Sequence, residues 1–314
     1  MTMNIRENIF LKDLSTFKIG GRARYVVLAD NQEDIIEALR FAQDKDLAIG
    51  IIGAGCNLLI TDDGIDGLVL KMNTRSIEIK DRQVFAEAGV SLAALTAMAH
   101  KSQLTGLEWA PSVPSSVGGA IRGNAGAFGG ETKDKLKQVR IYRDGDILDV
   151  DSSALDFQYR YSAFKSETNK DIILGGVFEL EKGDVAVSQK QVRDNIIKKN
   201  QNQPVGVACS GCIFKNYEGQ INMDLLDKYP ELADFMVKGI IPSGYLIEKS
   251  GLKGIKRGGI QISEKHANYM VNIGNGKFEE VMDLIKIVKD KVFQEFGVII
   301  EEEVVYLHQQ MKKI

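Results

Sequence analysis

The stretch "APSVPSSVGGAIRGNAGAFGGE", residues 110–131, decides the fold of this chain. It is dense in Gly, Ser and Pro, yet it is not a low-complexity linker. Repeated small residues let the backbone approach a bound group closely. Turns alone would rarely need so many glycines, so the stretch predicts a ligand-binding loop, with a purely structural set of turns as the alternative.

A second glycine loop, "GAGCN" from Gly53 to Asn57, follows an apolar strand pattern. Its glycines free successive backbone N–H groups to face an anion such as a diphosphate. A structural turn fits this short motif equally well. It has no third glycine at the Rossmann spacing, and no G-K-[ST] follows as in a P-loop. Together the two loops predict a large ligand with a phosphate part, such as a nucleotide-bearing cofactor.

The flanking patterns divide the chain into three predicted units, 1–72, 73–203 and 204–314. In the first, strand patterns surround a helix that Asn31 caps, with Asp34 three residues later. In the second, two hairpin patterns, one with an Asp144-Gly145 turn, flank a helix capped by Ser91. The third contains a long helix pattern with a core face formed by Val281, Leu284, Ile285, Val288, Val292 and Phe293.

Composition excludes several classes of protein. The 314 residues are 44% hydrophobic and 26% charged, which is ordinary globular composition, and the formal charge is -3. Such a charge gives no large footprint for nucleic acid. No apolar run approaches about 18 residues, and the N-terminal stretch lacks the apolar centre of a signal peptide. We therefore expect a soluble cytoplasmic protein without membrane or nucleic-acid partners, and a monomer is favoured.

The stretch "ACSGCIFKN" places Cys209 and Cys212 in C-x-x-C spacing. A zinc half-site would need a second ligand pair, which Cys56 and the dispersed His100, His266 and His308 do not provide, so no metal site is predicted. A thioredoxin-like dithiol would normally open a helix, whereas the sequence after Cys212 has extended character. A single functional thiol and a buried inert cysteine remain as alternatives.

Two further stretches hold candidate charged groups. "FQYRYSAFK" places Arg160 between two tyrosines, where it could bind a carboxylate through two hydrogen bonds or lie exposed on the surface. "FGVIIEEEVVYL" contains Glu301, Glu302 and Glu303. A run of glutamates is usually a solvated face. If the segment alternates like a strand, however, Glu301 and Glu303 share one side, and one of them could enter a site.

In this order the motifs resemble one family, the UDP-N-acetylenolpyruvoylglucosamine reductases of peptidoglycan synthesis, also called UDP-N-acetylmuramate dehydrogenases. The resemblance runs from about Leu14 to Leu307 and is closest to the shorter branch, which lacks an inserted lid loop. The stretches that carry it are "LSTFKIGG", "GAGCNLLITDDGIDGLVL", "GLEWAPSVPSSVGGAIRGNAGAFGGE", "FQYRYSAFK", "SGCIFKN", "GLKGIKRGGIQISEKHANYMVN" and "FGVIIEEEV".

The resemblance implies a mixed α/β and α+β architecture. A two-subdomain FAD-binding fold of the vanillyl-alcohol-oxidase (PCMH) type would be followed by a C-terminal α+β substrate-binding domain. It also implies FAD as cofactor, NADPH as co-substrate and UDP-N-acetylglucosamine enolpyruvate as substrate. The residues expected to bind FAD are Gly53, Ala54, Gly55, Cys56, Asn57, Leu58, Pro114, Ser115, Ser116, Gly118, Gly119, Asn124, Ala125 and Gly126.

Three reacting groups carry over from the family's motifs. Arg160 and a protonated Glu303 would stabilise an enolic carboxylate, and Cys212 would donate the proton to the neighbouring carbon. A free thiol pKa of roughly 8.5 keeps Cys212 protonated at neutral pH. Residues expected to face the substrate are Tyr159, Lys215, Asn216, Lys265 and His266.

The sequence departs from the family pattern at several positions. Tyr217 stands where a proline is common, Cys56 replaces a serine, and Ser115 replaces a glycine. The segment around Glu303 lacks the preceding proline and the following Arg and Gly, which puts its register in doubt. Another FAD oxidoreductase of the same fold, such as a hydroxy-acid or alcohol oxidase, remains an alternative. A nucleotide-sugar binding protein without flavin is a third interpretation.

Overall fold

In the computed structural model, which describes residues 4–313, the first sheet comes from residues 5–72. Its spatial order is first, second, fifth and third strand, antiparallel in the first pair and parallel in the others. The backbone N–H of Asp34 donates to the Asn31 side chain at 2.9 Å, so the predicted cap is confirmed. The elements are β1 (Ile5–Phe10), β2 (Arg22–Ala29), α1 (Gln32–Asp44), β3 (Ile49–Ile52), β4 (Leu58–Leu59) and β5 (Ile65–Met72).

The second sheet is antiparallel and lies between residues 77 and 179. Both predicted hairpins are present, and Asp144 and Gly145 have the positive φ values of a tight turn, 50° and 99°. Ser91 caps its helix as predicted. The elements are β6 (Ile77–Lys80), β7 (Gln83–Glu87), α2 (Leu92–Lys101), β8 (Leu104–Thr105), α3 (Val117–Gly123), β9 (Gly126–Ala127), β10 (Gly130–Glu131), β11 (Leu136–Arg143), β12 (Asp146–Asp151), β13 (Ile172–Glu179), β14 (Glu181–Lys182) and α4 (Val185–Asn202).

The third sheet is antiparallel, and helices α6 and α7 contribute to the apolar core beneath it. Its strand order is β15-β18-β17-β16. The elements are β15 (Ala208–Cys212), α5 (Leu232–Val237), α6 (Ser243–Lys249), β16 (Lys256–Arg257), β17 (Ile260–Ile262), β18 (Tyr269–Asn272), α7 (Phe278–Phe296) and β19 (Val305–Tyr306). Short 3₁₀ helices cover Leu11–Leu14, Ala110–Ser112, Thr132–Asp134, Ser152–Ala154, Ala163–Lys165, Met223–Leu226 and Leu307–Gln310.

The predicted core face of α7 is wrong at one residue. The five aliphatic residues of that face are buried as predicted, but Phe293 is 54% exposed and Phe296, 2% exposed, fills the core instead. Each helical residue advances about 100° around the axis. Phe296 therefore stacks one turn beyond the buried Val292, whereas Phe293 points away from the stripe.

The C-terminal segment returns to the first sheet. Strand β19 pairs in parallel with β4, and Lys312 bridges to Ile49 of β3. Leu307 is fully buried in the apolar cluster under the first sheet. Residues beyond 304 thus hold the end of the chain against the loop that contains Gly53–Asn57.

Candidate active site

A partly buried ion pair between Arg160 and Glu303 lies at the centre of the site. Arg160 Nε is 2.9 Å from Glu303 Oε1, and the two side chains are 22% and 21% exposed. The guanidinium also donates to the carbonyl of Gly126, in the second glycine loop, at 2.9 Å. The predicted Arg therefore meets both the predicted Glu and a predicted cofactor loop.

A tight turn holds Arg160 in this position. Its φ is +54°, in the left-handed region that non-glycine residues seldom occupy, and Gln158 and Tyr161 close the turn. The ammonium of Lys165 donates to the Arg160 carbonyl at 2.6 Å. This bond fixes the peptide that aims the guanidinium.

The three consecutive glutamates have three different partners. Glu301 pairs with Lys215 at 2.8 Å, Glu302 pairs with Lys289 and accepts from Tyr306, and Glu303 alone faces Arg160. The segment is not a regular strand. Instead the N–H of Glu303 donates to the Ile213 carbonyl at 2.7 Å, which sets its register.

Cys212 lies at the end of β15 and is paired directly with Tyr269 of β18. A bulge separates it from Cys209, and Gly211 there has a φ of +80°. No helix begins in residues 213–222, directly after Cys212, so the absence of a helix predicted for this position is confirmed. Burial, followed by the nearby Glu303 carboxylate, raises the pKa of the thiol to about 12. The thiol is therefore protonated at neutral pH, although part of the residue's surface stays open.

Burial raises the pKa of Glu303 even though the charges of Arg160 and Lys165 oppose it. Burial, with the Arg122 guanidinium close by, lowers the pKa of Lys165 to about 8. Glu303 is thus drawn toward its protonated, hydrogen-bond-donating form, and Lys165 toward its neutral form. Shifts of this kind are typical of catalytic sites.

The two glycine loops touch each other. A Cβ placed on Gly53 would lie 2.3 Å from Ser116 Oγ, the hydroxyl that caps α3. At Gly55 the φ is +74°, and a Cβ would lie 2.2 Å from the Leu14 carbonyl. The amide of Asn57 donates to the Glu303 carbonyl at 3.0 Å. The first loop therefore contacts both the second loop and the segment that contains Glu303.

This cradle fits a flavin nucleotide. Among residues 4–313, no backbone carbonyl accepts from the N–H groups of Gly53–Asn57, so these groups are open to a ligand, as diphosphate binding requires. A cavity of about 480 Å³ lies beside the first loop and is lined partly by Ala54, Lys71 and Ala208. The hydroxyl of Ser210 is buried and has no partner among residues 4–313.

Neither a metal cluster nor a membrane-crossing helix occurs in the part of the chain that the structure describes. No three His, Cys, Asp or Glu side chains converge there as metal ligands. No helix there is both long and apolar enough to cross a bilayer. The three cysteines are free thiols.

Comparisons with known proteins identify the family. A model described as FAD binding domain matches residues 23–151, and one described as UDP-N-acetylenolpyruvoylglucosamine reductase, C-terminal domain, matches residues 203–307. The reductase of that name from Syntrophomonas wolfei is 36% identical over 303 residues, which are 96% of this chain and 94% of the relative. The chain belongs to the UDP-N-acetylenolpyruvoylglucosamine reductase family. The predicted resemblance is therefore confirmed.

Further comparisons agree with this assignment. The UDP-N-acetylenolpyruvoylglucosamine reductase of Carboxydothermus hydrogenoformans is 37% identical over 94% of this chain and 91% of its own. The crystal structure of UDP-N-acetylenolpyruvylglucosamine reductase from Thermus caldophilus has a TM-score of 0.78 at 26% identity, covering 97% of this chain and 99% of that one. The predicted fold class, an FAD-binding fold followed by a C-terminal domain, is confirmed.

The structure gathers some of the residues expected to face the substrate of a UDP-N-acetylenolpyruvoylglucosamine reductase. Tyr159 lies under the Arg160 guanidinium, 5.0 Å from ring centre to Cζ, and its hydroxyl accepts from the Asn216 N–H at 3.4 Å. Lys215 is near enough for its charge to oppose part of the rise that burial causes in the Glu303 pKa. These residues surround the ion pair.

Other predicted residues lie apart or are occupied. Lys265 is exposed and donates to the Asn200 carbonyl. The His266 ring packs on Tyr269, with ring centres 5.0 Å apart, and burial lowers its pKa. The amide of Asn124 donates to Glu131 and to the Gln158 carbonyl within the protein. Only the backbone groups of Asn124 therefore remain to contact a cofactor.

Three residues of the site were missed by the sequence analysis. Lys165 lies in the quoted motif, five residues after Arg160, but no pattern showed that its ammonium turns back. Lys199, from the charged helix α4, donates to the Ser112 carbonyl at 2.5 Å and approaches all three thiols. Tyr269 follows His266 by three residues. In each case the contact joins residues that are distant in sequence, or it forms only because a turn brings the side chain back.

Proposed function

We propose that this chain catalyses the NADPH-dependent, FAD-mediated reduction of UDP-N-acetylglucosamine enolpyruvate to UDP-N-acetylmuramate in peptidoglycan precursor synthesis. The observation that carries the proposal is the Arg160–Glu303 pair, joined to a glycine cradle and close to the protonated Cys212. Relatives of matching length that bear the reductase name support the same reaction.

The two glycine loops would hold the cofactor. Backbone N–H groups of Gly53–Leu58 would face its diphosphate, with Ser116 and Lys71 at their base, and the loop from Pro114 to Gly126 would contact the same cofactor. FAD, once reduced by NADPH, would supply the hydride that adds to the vinyl ether of the substrate. The remaining chemistry belongs to side chains of this chain.

Arg160 and Glu303 would stabilise the charge that hydride addition leaves on the substrate. That charge spreads into the substrate carboxylate as an enolate. The fixed guanidinium donates charged hydrogen bonds to it, and a protonated Glu303 donates a further one. Burial already favours the protonated form of Glu303, so no large rearrangement is needed.

Cys212 would complete the reaction by giving its proton to the carbon next to the one that received the hydride. An S–H bond breaks, a C–H bond forms, and solvent later restores the thiol proton. Tyr159, Lys215, Asn216, Lys265 and His266 are proposed substrate contacts. Of these, the support is better for Tyr159, Lys215 and Asn216, which lie around Arg160.

The proposal extends to organisation and location. We assign 1–72 and 73–203 to the two FAD-binding subdomains and 204–314 to the substrate domain, since each range has its own main sheet. We also propose a monomer, and we propose a cytoplasmic location because the substrate is a soluble nucleotide sugar and the three cysteines are free thiols.

An anaerobic half-reaction tests the function. FAD-loaded protein is reduced with NADPH, mixed with UDP-N-acetylglucosamine enolpyruvate, and followed by the return of oxidised flavin absorbance. We expect rapid reoxidation with formation of UDP-N-acetylmuramate. Cys212→Ala should slow this step by about 10²-fold or more, as for loss of a general acid, without slowing reduction by NADPH. Cys212→Ser should retain activity.

Cys209→Ala is the matched control and should react like the wild type, because the proposal gives Cys209 no role. A wild type that is not reoxidised would contradict the function and favour another flavin oxidoreductase. Normal turnover by Cys212→Ala would show that the proton donor is misassigned. A large loss in Cys209→Ala would restore the dithiol interpretation.

A further inference from the structure

Tyr269 is the cross-strand partner of Cys212. The two residues lie opposite each other in the β15–β18 ladder, so their side chains leave the sheet on the same face. The tyrosine is 7% exposed, and its hydroxyl is close enough to the thiol to influence the thiol pKa. The same hydroxyl donates to Gln203 Oε1 at 2.7 Å. The Tyr269 hydroxyl therefore has two neighbouring acceptors, Gln203 Oε1 and the Cys212 sulfur, but only one proton to donate.

The chemistry of Cys212 creates a need for a donor at this place. When the thiol gives up its proton, a thiolate is left in a site where burial opposes charge. A buried anion is stabilised chiefly by hydrogen bonds from neighbouring donors. Arg160 is engaged with Glu303 and with the substrate carboxylate, so its charge is shared.

Other charged and titratable groups also act on this thiol. Glu303 disfavours the thiolate, whereas Arg160 and Lys199 favour it, and Cys209 lies on the same strand. Lys199 is anchored to the Ser112 carbonyl. Tyr269 is a neutral donor placed directly opposite in the ladder.

We propose that Tyr269 is a positioning residue for the proton donor, and that its hydroxyl turns from Gln203 to the Cys212 sulfur as the thiol proton moves to the substrate carbon. The S–H bond breaks as the C–H bond forms, while the tyrosine keeps its own proton and only changes acceptor. The inference rests on the proposed function. It adds a residue that stabilises the thiolate rather than the substrate.

The first test uses Tyr269→Phe, which removes only the hydroxyl. We expect reoxidation of reduced flavin by substrate to slow by about 10-fold or more, the size of one hydrogen bond to a charged group. Reduction by NADPH should be unchanged. In a Cys212→Ala background the same substitution should cost nothing further, because no thiolate forms. If Tyr269 had only a structural role, Tyr269→Phe would slow reoxidation by the same factor in the wild type and in Cys212→Ala.

Tyr229→Phe is the matched control. Tyr229 is also 7% exposed, and its hydroxyl donates to Glu295 Oε1 at 2.7 Å within the C-terminal unit. Loss of that hydroxyl should leave both half-reactions unchanged. If Tyr229→Phe slowed reoxidation as much as Tyr269→Phe, the inference would be overturned.

A second test needs no flavin. FAD-free protein is treated with iodoacetamide near pH 9, and peptide mass spectrometry follows the alkylation of Cys212. Because the thiolate is the reacting form, Tyr269→Phe should alkylate about 10-fold more slowly, equivalent to a rise of about one unit in the thiol pKa. Gln203→Leu removes the competing acceptor and should increase the rate, and this variant decides the matter if Tyr269→Phe does not fold.

The outcomes separate the two proposals. A wild type that is not reoxidised by substrate contradicts the function. If substrate reoxidises the flavin of the wild type, and Tyr269→Phe has normal rates of reoxidation and alkylation, the inference about Tyr269 is overturned and the proposed function stands. Slower alkylation in Gln203→Leu than in the wild type would also overturn it.

Discussion

At the scale of single residues, Lys165 shows how a buried charge is held within the site. Its ammonium fixes the Arg160 peptide and faces Glu303, but it also lies near Arg122. Burial and this second cation lower the pKa of Lys165 from the ordinary 10.5 to about 8. Lys165 positions Arg160, and its surroundings thus disfavour the charged form of Lys165 itself.

This shift makes a prediction about stability. Below pH 8 Lys165 is protonated in both folded and unfolded protein, so the full cost of burying the charge is present. Between pH 8 and 10.5 the unfolded chain binds a proton that the folded chain lacks, and the free energy of unfolding rises with pH. Relative to Lys165→Met, the wild type should gain about 3 kcal/mol over that window, from 1.36 kcal/mol per pKa unit.

Urea unfolding of both proteins from pH 7 to 10.5 measures the difference. Lys182→Met, at an exposed position, is the control and should give a gap that does not change with pH. A Lys165→Met gap that stays constant across the window would show that Lys165 remains charged in the folded state.

Sequence motifs predicted Arg160, Cys212 and Glu303, and the structure brings these three side chains together. Motifs could do so because each reacting group occurs with local neighbours that mark it. Lys165 and Tyr269 were missed, because a side chain turning back five residues and a partner across a ladder leave no local signature. Roles set by three-dimensional proximity are therefore the part that one sequence does not reveal.

At the scale of elements, α7 shows where a helical pattern becomes ambiguous. Val292 and Phe293 are adjacent and both apolar, so either phenylalanine, Phe293 or Phe296, could continue the buried stripe. The helical period decides the choice, because Phe296 lies about one turn after Val292 whereas Phe293 is rotated about 100° from it, and the helix continues as far as Gly297, which has a φ of +69°. The buried face thus ends at Phe296, three residues beyond the predicted end at Phe293.

The two phenylalanines form a matched pair for mutagenesis. Phe296→Ala should lower the free energy of unfolding by about 3–5 kcal/mol, since it opens a cavity in a buried cluster. Phe293→Ala should change it by about 0.5 kcal/mol or less, because the ring is mostly exposed. Chemical denaturation measures both values. Equal losses would contradict the observed orientation of the helix.

At the scale of the whole molecule, the C-terminal segment connects units that are distant in sequence. Glu303 lies four residues before Leu307, which anchors the segment under the first sheet. The neighbouring Asn57 amide binds the Glu303 carbonyl directly. The Glu303 carboxylate, which we propose is catalytic, and the first glycine loop therefore share one support.

Loss of this anchor should affect stability and cofactor binding together. Leu307→Ala should lower the free energy of unfolding by about 2–5 kcal/mol and should weaken FAD binding, because the loop at Asn57 loses its partner. Gln309→Ala, at an exposed position in the same segment, is the control. Fluorescence titration with FAD measures the affinity. If Leu307→Ala were less stable but bound FAD with unchanged affinity, the anchor at Leu307 would not support the cofactor loop.

The return of the C-terminal segment also has a consequence for biosynthesis. Asn57 and Glu303 are 246 residues apart, and a ribosome adds about 5–20 residues each second. The first glycine loop therefore waits roughly 12–50 s for the segment that completes it. We expect flavin to enter only once translation is nearly finished, so the cofactor loads a completed protein instead of guiding the folding of a nascent one.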